Sequence, residues 1–252
     1  MIKIAAPLLS AIALLLGWEY AVAAWDIKLF ILPAPSAIGA AFLSAAGDLD
    51  SAALQTLKIT WISLAVAVAL SLALALAFSA VRLLELTFYP YAVILQVTPV
   101  LAVAPLIIIW VGVDNITLTL VIIATLVAFF PLLTTLIQGL RSIDKSQTEL
   151  FKLYGASRWQ TFVHLQVPAA MPAFLSGLKI SAGLALVGAV VAEFVAGSGT
   201  ASGLAWTMLE ASNRLQTDKV FAALFTLSAI GVAQYYFLAW LEQVFTGHWV
   251  GK

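Results

Sequence analysis

Polar side chains that interrupt long apolar stretches are the first residues of this sequence that could do chemistry. Glu193 lies inside the apolar run Gly188–Val195, and Glu19 follows Trp18 within the first apolar run. A carboxylate at the centre of a bilayer costs on the order of 3 kcal/mol, so it usually faces a partner or a water-filled cavity. For Glu193 two interpretations stay open, the lining of a solute path and structural hydrogen bonding at the end of a span. For Glu19 we favour hydrogen bonding to the backbone or to a tryptophan.

Gln96 and Thr98 form a second polar group, next to Pro99 in another apolar stretch. A helix broken by proline is tolerated in a membrane where its freed backbone is buried in protein or lines a cavity. These two side chains could therefore meet a solute. The alternative is hydrogen bonding between helices, which is the commoner role of such residues.

The residue types exclude several kinds of catalytic chemistry. The sequence has no cysteine, and its two histidines, His164 and His248, form no HExxH pattern, so we expect no metal site. It has no G-x4-G-K-[ST] phosphate loop, so the chain is not itself an ATPase. A formal net charge of zero does not favour a nucleic-acid partner. We expect no catalytic residues and no cofactor in this chain.

The composition is that of a membrane protein. Hydrophobic residues make up 63% of the 252 residues and charged residues 10%, whereas soluble domains average about half and about a quarter. A spanning helix needs about 20 mostly apolar residues. We therefore predict an all-α, polytopic membrane protein with one domain over residues 1–252. About six spans are expected, near Ile4–Trp25, Leu57–Val81, Tyr89–Val111, Ile116–Leu140, Phe174–Val195 and Val220–Phe245.

Charge predicts the orientation of these spans. The first apolar run imitates a secretory signal ending at Ala21-Val22-Ala23, but it continues to Trp25 and is long enough to span, so we expect an uncleaved first helix. With a cytoplasmic N-terminus, eight of the twelve basic residues lie inside, as the positive-inside rule favours, and both termini are cytoplasmic. These eight are Lys3, Arg82, Arg141, Lys145, Lys152, Arg158, Lys179 and Lys252.

The segment Ser142–Pro168, which we call the 142–168 loop, differs from the apolar stretches on either side of it. Its pattern predicts two short helices around a tight turn. At the start of the first helix, either Asp144 with Gln147 or Ser146 with Glu149 can form a capping box.

The turn and the second helix have their own signals. Gly155 fits the left-handed residue of a C-terminal cap, and Ser157 with Gln160 fits another capping box. Pro168 is expected to end the second helix, because proline has no backbone N–H to donate. Apolar side chains accompany the charges, so the loop could lie on lipid headgroups or dock on another protein. The residues alone leave both uses open.

The 142–168 loop resembles the cytoplasmic "EAA" loop of ABC importer permeases, written E-A-A-x3-G-x9-I-x-L-P. Leu150 and Phe151 replace the two alanines, and the spacing is intact. The other motif positions are occupied by Glu149, Gly155, Leu165, Val167 and Pro168.

Further segments resemble the nitrate/sulfonate/taurine branch of these permeases. Their order and spacing together make the resemblance specific over most of the chain. They are Leu32–Ala37, Gln96–Pro99, Ala104–Leu106, Trp110–Gly112, Phe129–Pro131, Gly139–Asp144 and Gly188–Phe194.

The resemblance implies a type I ABC importer permease fold in the bacterial inner membrane, with the 142–168 loop forming coupling helices. It implies two permease copies, two cytoplasmic ATPase subunits that bind ATP and Mg, and an extracytoplasmic solute-binding protein. The loop residues expected to couple to the ATPase are Glu149, Leu150, Phe151, Tyr154, Gly155, Ala156, Ser157 and Trp159. Gln96, Thr98 and Glu193 are the candidates for the translocation pathway.

The resemblance also bounds the solute. The branch implies a small anion such as a sulfonate, taurine or nitrate, and the same permease type for a pyrimidine vitamin precursor, riboflavin or an aromatic acid is the alternative. A small-molecule channel and an ion-coupled secondary transporter are further alternatives. A secondary transporter normally shows internal repeats and buried ionisable coupling residues, and neither is clear in this sequence.

Overall fold

Apolar periodicity and proline positions produce a chain of helices in the computed structural model, which describes residues 2–196 and 202–246. Within those residues there is no β-strand. The helices are α1 (Ile2–Ala24), α2 (Pro35–Ser44), α3 (Ala46–Ala80), α4 (Arg82–Val97), α5 (Val100–Val111), α6 (Ile116–Arg141), α7 (Lys145–Leu153), α8 (Arg158–Thr161), α9 (Val167–Ala196), α10 (Leu204–Asn213) and α11 (Thr217–Thr246). His248 and Lys252, which entered the sequence predictions, lie outside the described residues.

A helix occupies each of the six predicted span positions. In the described part of the chain, four helices are long and apolar enough to cross a membrane, or five when a bent pair is counted as one span. The four are Ala46–Ala80, Ile116–Arg141, Arg158–Ala196 and Thr217–Phe245. The apolar part of α1, Leu8–Ala24, is shorter. The all-α membrane fold is confirmed, and the exact number of six spans stays a prediction.

The predicted third span is two helices rather than one. The axes of α4 and α5 differ by 102°, and the break falls at Thr98-Pro99. Proline lacks the N–H that would continue α4, and it disfavours helical geometry in the residue before it. Thr98 is accordingly extended, with φ −69° and ψ 126°. Pro105 lies inside α5 without ending it.

Pro168 does not end the second loop helix, contrary to the sequence prediction. A π-helical turn over Phe162–Gln166 connects α8 to α9, so the helix runs from Arg158 to Ala196. The amide of Val167 donates to the carbonyl of Phe162, five residues back. This wider turn carries the helix past Pro168, which has no N–H to donate.

The chain divides into two compact units, residues 1–55 with 197–229 and residues 56–196 with 230–252. The predicted single domain over residues 1–252 stays a prediction. In the second unit, α6 and α9 make the most extensive helix contact among the described residues. Fourteen of the 26 residues of α6 are buried.

Glycines in α9 explain how closely α6 and α9 approach. A Cβ at Gly188 would lie 2.9 Å from the Cα of Ala124, and one at Gly177 would overlap the side chain of Thr135. Small residues at a helix contact allow backbones to approach closely, which is the main source of helix association in lipid. This pair therefore depends on the absence of side-chain volume at particular positions.

Candidate functional site

The first short helix of the 142–168 loop, α7, is capped at both ends. Asp144 is its N-cap, and its carboxylate accepts the backbone N–H of Ser146 at 3.0 Å. At the other end Gly155 has φ +70°, and the amide of Ala156 donates to the carbonyl of Phe151 at 3.0 Å. This is the Schellman arrangement, which requires a left-handed residue after the helix. The predicted role of Gly155 as a left-handed cap is confirmed.

The second short helix begins with the predicted capping box. The amide of Ser157 donates to Oε1 of Gln160 at 2.8 Å, and the amide of Gln160 donates to Oγ of Ser157 at 3.2 Å. Two backbone donors at the helix start are satisfied by these reciprocal bonds. Residues within a few positions in sequence set both helix starts, but only the second has the predicted capping box. At the first, the structure uses Asp144 rather than Ser146 as the N-cap, and Asp144 caps the helix without a capping box.

The large apolar side chains of this loop face outward. Tyr154 is 83% exposed, Trp159 is 71% exposed and Leu150 is 50% exposed, while Phe151 and Ala156 are half-buried. Neither α7 nor α8 contains a buried residue. The other candidate coupling residues, Glu149, Gly155 and Ser157, are exposed. Exposed apolar surface of this kind is typical of an interaction site.

The break between α4 and α5 opens a cavity of about 270 Å³ beside α6 and α9. Gln96 and Thr98, two of the candidates for the translocation pathway, line it. The Thr98 hydroxyl donates to the carbonyl of Ile94 at 2.8 Å, which satisfies part of the broken helix end. The remaining lining is apolar and includes Phe130 and Leu184. No charged side chain lines this cavity among the described residues.

Glu193 is placed elsewhere. It is fully buried in α9, and Oγ1 of Thr56 on α3 donates to its carboxyl at 2.8 Å. The hydroxyl of Thr60, one turn further along α3, donates to the carbonyl of Thr56 at 2.8 Å. Glu193 does not line the cavity that holds Gln96. The structure therefore places Gln96 and Thr98 in the wall of one cavity and Glu193 outside that cavity. The role of all three residues in the translocation pathway stays a prediction.

Glu19 has the hydrogen bonds expected of a structural carboxylate. It accepts the backbone N–H of Ser36 at 3.0 Å and the Ser36 hydroxyl at 2.7 Å. Ser36 lies in the first turn of α2, where a carboxylate satisfies a free N–H and suits the helix dipole. The hydrogen-bond partner of Glu19 is thus the start of α2 and not a tryptophan. The ring of the neighbouring Trp18 packs on Phe221, with ring centroids 5.7 Å apart.

A further buried carboxylate, Glu85 in α4, was not predicted from the sequence. It is 6% exposed and is ion-paired with two arginines, Arg82 at 2.8 Å and Arg141 at the end of α6. The spacing of Arg82 and Glu85 on one helix could have indicated the first pair. Arg141 is remote in sequence, and no local signal points to it.

No cluster of three or more possible metal ligands occurs within residues 2–196 and 202–246. What the geometry offers is an exposed docking loop, a polar-edged cavity at a broken helix and carboxylates that are each hydrogen-bonded or ion-paired.

Several apolar spans, one broken helix pair and a capped, outward-facing loop define a polytopic membrane transport component. The chain belongs to the family of binding-protein-dependent transport system inner membrane components, whose model matches residues 67–246. It is accordingly a multi-pass inner-membrane protein and an ABC importer permease subunit, as the resemblance of the 142–168 loop implied. The family also implies an ATPase and a solute-binding protein as partners.

Two curated relatives match nearly the whole chain. One is a riboflavin transport system permease protein of Chloroflexus aurantiacus, 37% identical over 92% of this chain and 85% of the relative. The other is a putative aliphatic sulfonates transport permease protein of Escherichia coli, 33% identical over 90% of this chain and 85% of the relative.

A solved structure shares the fold. It is an amino acid ABC transporter with histidines, which aligns with a TM-score of 0.65 over 82% of this chain and 98% of that chain. The identity of 19% supports a common fold and nothing finer. The type I permease fold is confirmed.

Proposed function

We propose that this permease subunit forms the pathway for a small solute and is driven by ATP hydrolysed on a separate cytoplasmic ATPase. The 142–168 loop transmits the motion of that ATPase to the spans around the pathway. The ATPase carries ATP and Mg, and this chain makes and breaks no covalent bond.

The observation that carries this proposal is the exposed apolar surface of the 142–168 loop. Tyr154 and Trp159 project from a segment whose backbone is fixed by caps at Asp144, Gly155 and Ser157. A rigid surface loses little conformational freedom on docking, and aromatic anchors dominate protein interfaces. A loop that only lay on lipid headgroups would have no need of a left-handed hinge between two capped helices.

The assembly follows from the same family resemblance. Two copies of this chain, two ATPase subunits and an extracytoplasmic binding protein form the working importer, with both termini of this chain in the cytoplasm. The positive-inside rule supports that orientation, because Arg141, Lys145, Lys152 and Arg158 cluster around the loop that meets the ATPase. Reporter fusions after Lys252 and within the segment 202–216 test it. Signals from the same side of the membrane would contradict the orientation.

For the solute, the resemblance to the sulfonate branch supports a small organic or inorganic anion, such as a sulfonate, taurine or nitrate. A specific observation favours the second candidate, a neutral heterocycle of the pyrimidine or riboflavin type. The cavity at Gln96 and Thr98 has amide and hydroxyl groups in an apolar wall and no cationic side chain, and a buried anion usually requires a cationic partner. The riboflavin permease relative supports the same class.

Transport by the purified importer in proteoliposomes tests the function. Uptake should require ATP and persist when ion gradients are collapsed, whereas an ion-coupled secondary transporter would lose uptake with the gradient and ignore ATP. Competition of the imported solute by taurine, nitrate, riboflavin and a pyrimidine then assigns the class. Gln96→Ala should raise the KM for a heterocycle and leave ATPase association unchanged. Unaltered transport by this variant would show that the cavity is not part of the translocation pathway.

A further inference from the structure

The ion-paired group around Glu85 borders two cavities that share a wall. The first is a polar cavity of about 190 Å³, roughly the volume of six water molecules, between the ends of α3, α4 and α6. Its polar lining consists of Ser79, Arg82, Glu85 and Arg141. Two guanidinium groups face one carboxylate, so the cavity has an excess positive charge.

Both arginines keep donors that Glu85 does not use. The side chain of Arg82 is 69% exposed and that of Arg141 is 54% exposed, whereas Glu85 is 7% exposed. Each guanidinium group has five N–H donors in a fork that matches a phosphate group. Arg82 donates through Nη1 to Oε2 of Glu85, and Arg141 is ion-paired with the other oxygen of the same carboxylate, so the exposed parts of both guanidinium groups keep further donors.

The second cavity is an apolar groove of about 270 Å³ along α3, α6 and α9. It shares Ala75 and Leu140 with the polar cavity, so the two are neighbours on either side of that pair. Leu72 and Leu76 line it on α3, and Leu72 lies eight residues before Ala80, about 12 Å along the helix. The groove therefore extends from the helix ends into the apolar part of the spans.

The position relative to the bilayer identifies the class of ligand. The helices α3 and α6 are both long and apolar enough to span the membrane. Arg82 lies two residues after the end of α3, and Arg141 is the last residue of α6. Ends of spans lie at the depth of the lipid headgroups. Basic pockets between spans on the cytoplasmic side are sites for anionic headgroups.

We propose that this pair of cavities binds one anionic phospholipid, with its phosphate on Arg82 and Arg141 and an acyl chain in the apolar groove. Glu85 offsets one of the two positive charges, so that the site keeps one net positive unit. The groove is also lined by Phe162 of the π-helical turn and Met171 of α9, so the lipid contacts the segment that connects the 142–168 loop to its span.

Native mass spectrometry of the full-length chain, in the complex in which it is expressed, tests this site with phosphatidylglycerol and phosphatidylcholine. Phosphatidylglycerol should bind more tightly, and Glu85→Gln should increase that preference about fivefold, the effect of one surface charge. The triple variant Arg82→Gln/Glu85→Gln/Arg141→Gln, which leaves no unpaired buried charge, should abolish the preference. Arg214→Gln is the matched control, because Arg214 is paired one to one with Glu210, and it should change nothing.

A groove-filling variant separates a lipid from a free phosphate. Met171→Trp should weaken phosphatidylglycerol binding and leave any binding of inorganic phosphate unchanged. The proposal is overturned if the two lipids bind alike, if Glu85→Gln lowers the preference, or if inorganic phosphate displaces phosphatidylglycerol and Met171→Trp has no effect. It is also overturned if the ATPase subunit, once bound, releases the lipid, because that subunit is then the occupant of the arginine cavity.

Discussion

The 142–168 loop and the α6–α9 pair lie in the same unit of the chain and differ in what holds their helices in place. In the loop, the bonds that fix the helix ends join near neighbours, such as Ser157 with Gln160. In the pair, contacts join residues far apart in sequence, such as Gly188 and Ala124. The loop keeps its shape while its apolar surface is free to meet a partner. The pair has no free surface at its contact and depends on side-chain volume.

The largest expected effect of a small change is in the α6–α9 pair. Gly177→Ala places a methyl group against Thr135, and overpacking of this kind costs about 1–3 kcal/mol. Gly183→Ala is the control on the same helix, because nothing lies near its added Cβ and alanine is the better helix former. Thermal unfolding in detergent should show Gly177→Ala below the wild type and Gly183→Ala at or above it. Equal unfolding temperatures for both variants would mean that α9 can shift away from α6.

The second expected effect is a difference in stability between two variants that each remove a buried hydroxyl, one with a hydrogen-bond partner and one without. Thr56→Val removes a hydrogen bond to Glu193, which should cost about 1–2 kcal/mol because the acceptor is a buried carboxyl. Thr119 is equally buried, but its hydroxyl has no partner within the described part of the chain, so Thr119→Val should be neutral or stabilising. Chemical denaturation of both variants measures the difference, and identical midpoints would contradict a structural role for the Thr56–Glu193 bond.

The smallest effect is local to the loop. Ser157→Ala removes one half of the capping box and should destabilise the start of α8 by about 1 kcal/mol without changing global unfolding. Hydrogen exchange at the amides of Gln160 and Thr161, which bond to Ser157, should then quicken about fivefold, while exchange in α6 stays the same. Ser146→Ala is the control, since the bond at the start of α7 uses its backbone N–H and not its hydroxyl. Faster exchange throughout α6 or α9 would show that the loop is not held locally.

The difference between local and long-range contacts also explains which features could be predicted from the sequence. The capping box at Ser157 and the left-handed Gly155 depend on residues within a few positions, and both predictions are confirmed. Long apolar runs predicted the spans for the same reason. The start of α3 was placed too late, because residues 46–56 carry Asp48 and Asp50 and lack the apolar run that marks a span.

The features that the sequence did not predict depend on distant contacts. Pro168 was expected to end a helix, and only the π-helical turn before it, packed against the start of α9, allows the chain to continue. Pro99 predicted a break, but not the angle of 102° between α4 and α5, because proline interrupts a helix without fixing the direction of the next one. Glu85 was missed because its second partner, Arg141, lies on another helix.

The most direct test of the central claim compares two glycines that both have a positive φ. Gly155 in the loop has φ +70° and Gly112 after α5 has φ +85°, and open space surrounds both. Valine costs about 1 kcal/mol or more at Gly155. It is more strained at Gly112, because φ +85° with ψ 153° is a conformation essentially restricted to glycine, but only Gly155 sets the angle between the two loop helices. The measurement is the amount of ATPase subunit that co-purifies with each variant. Gly155→Val should lose about tenfold or more of the association, equivalent to about 1.4 kcal/mol of interface contact, while Gly112→Val should retain it. Equal association of both variants with the ATPase would contradict the assignment of the 142–168 loop as the coupling element.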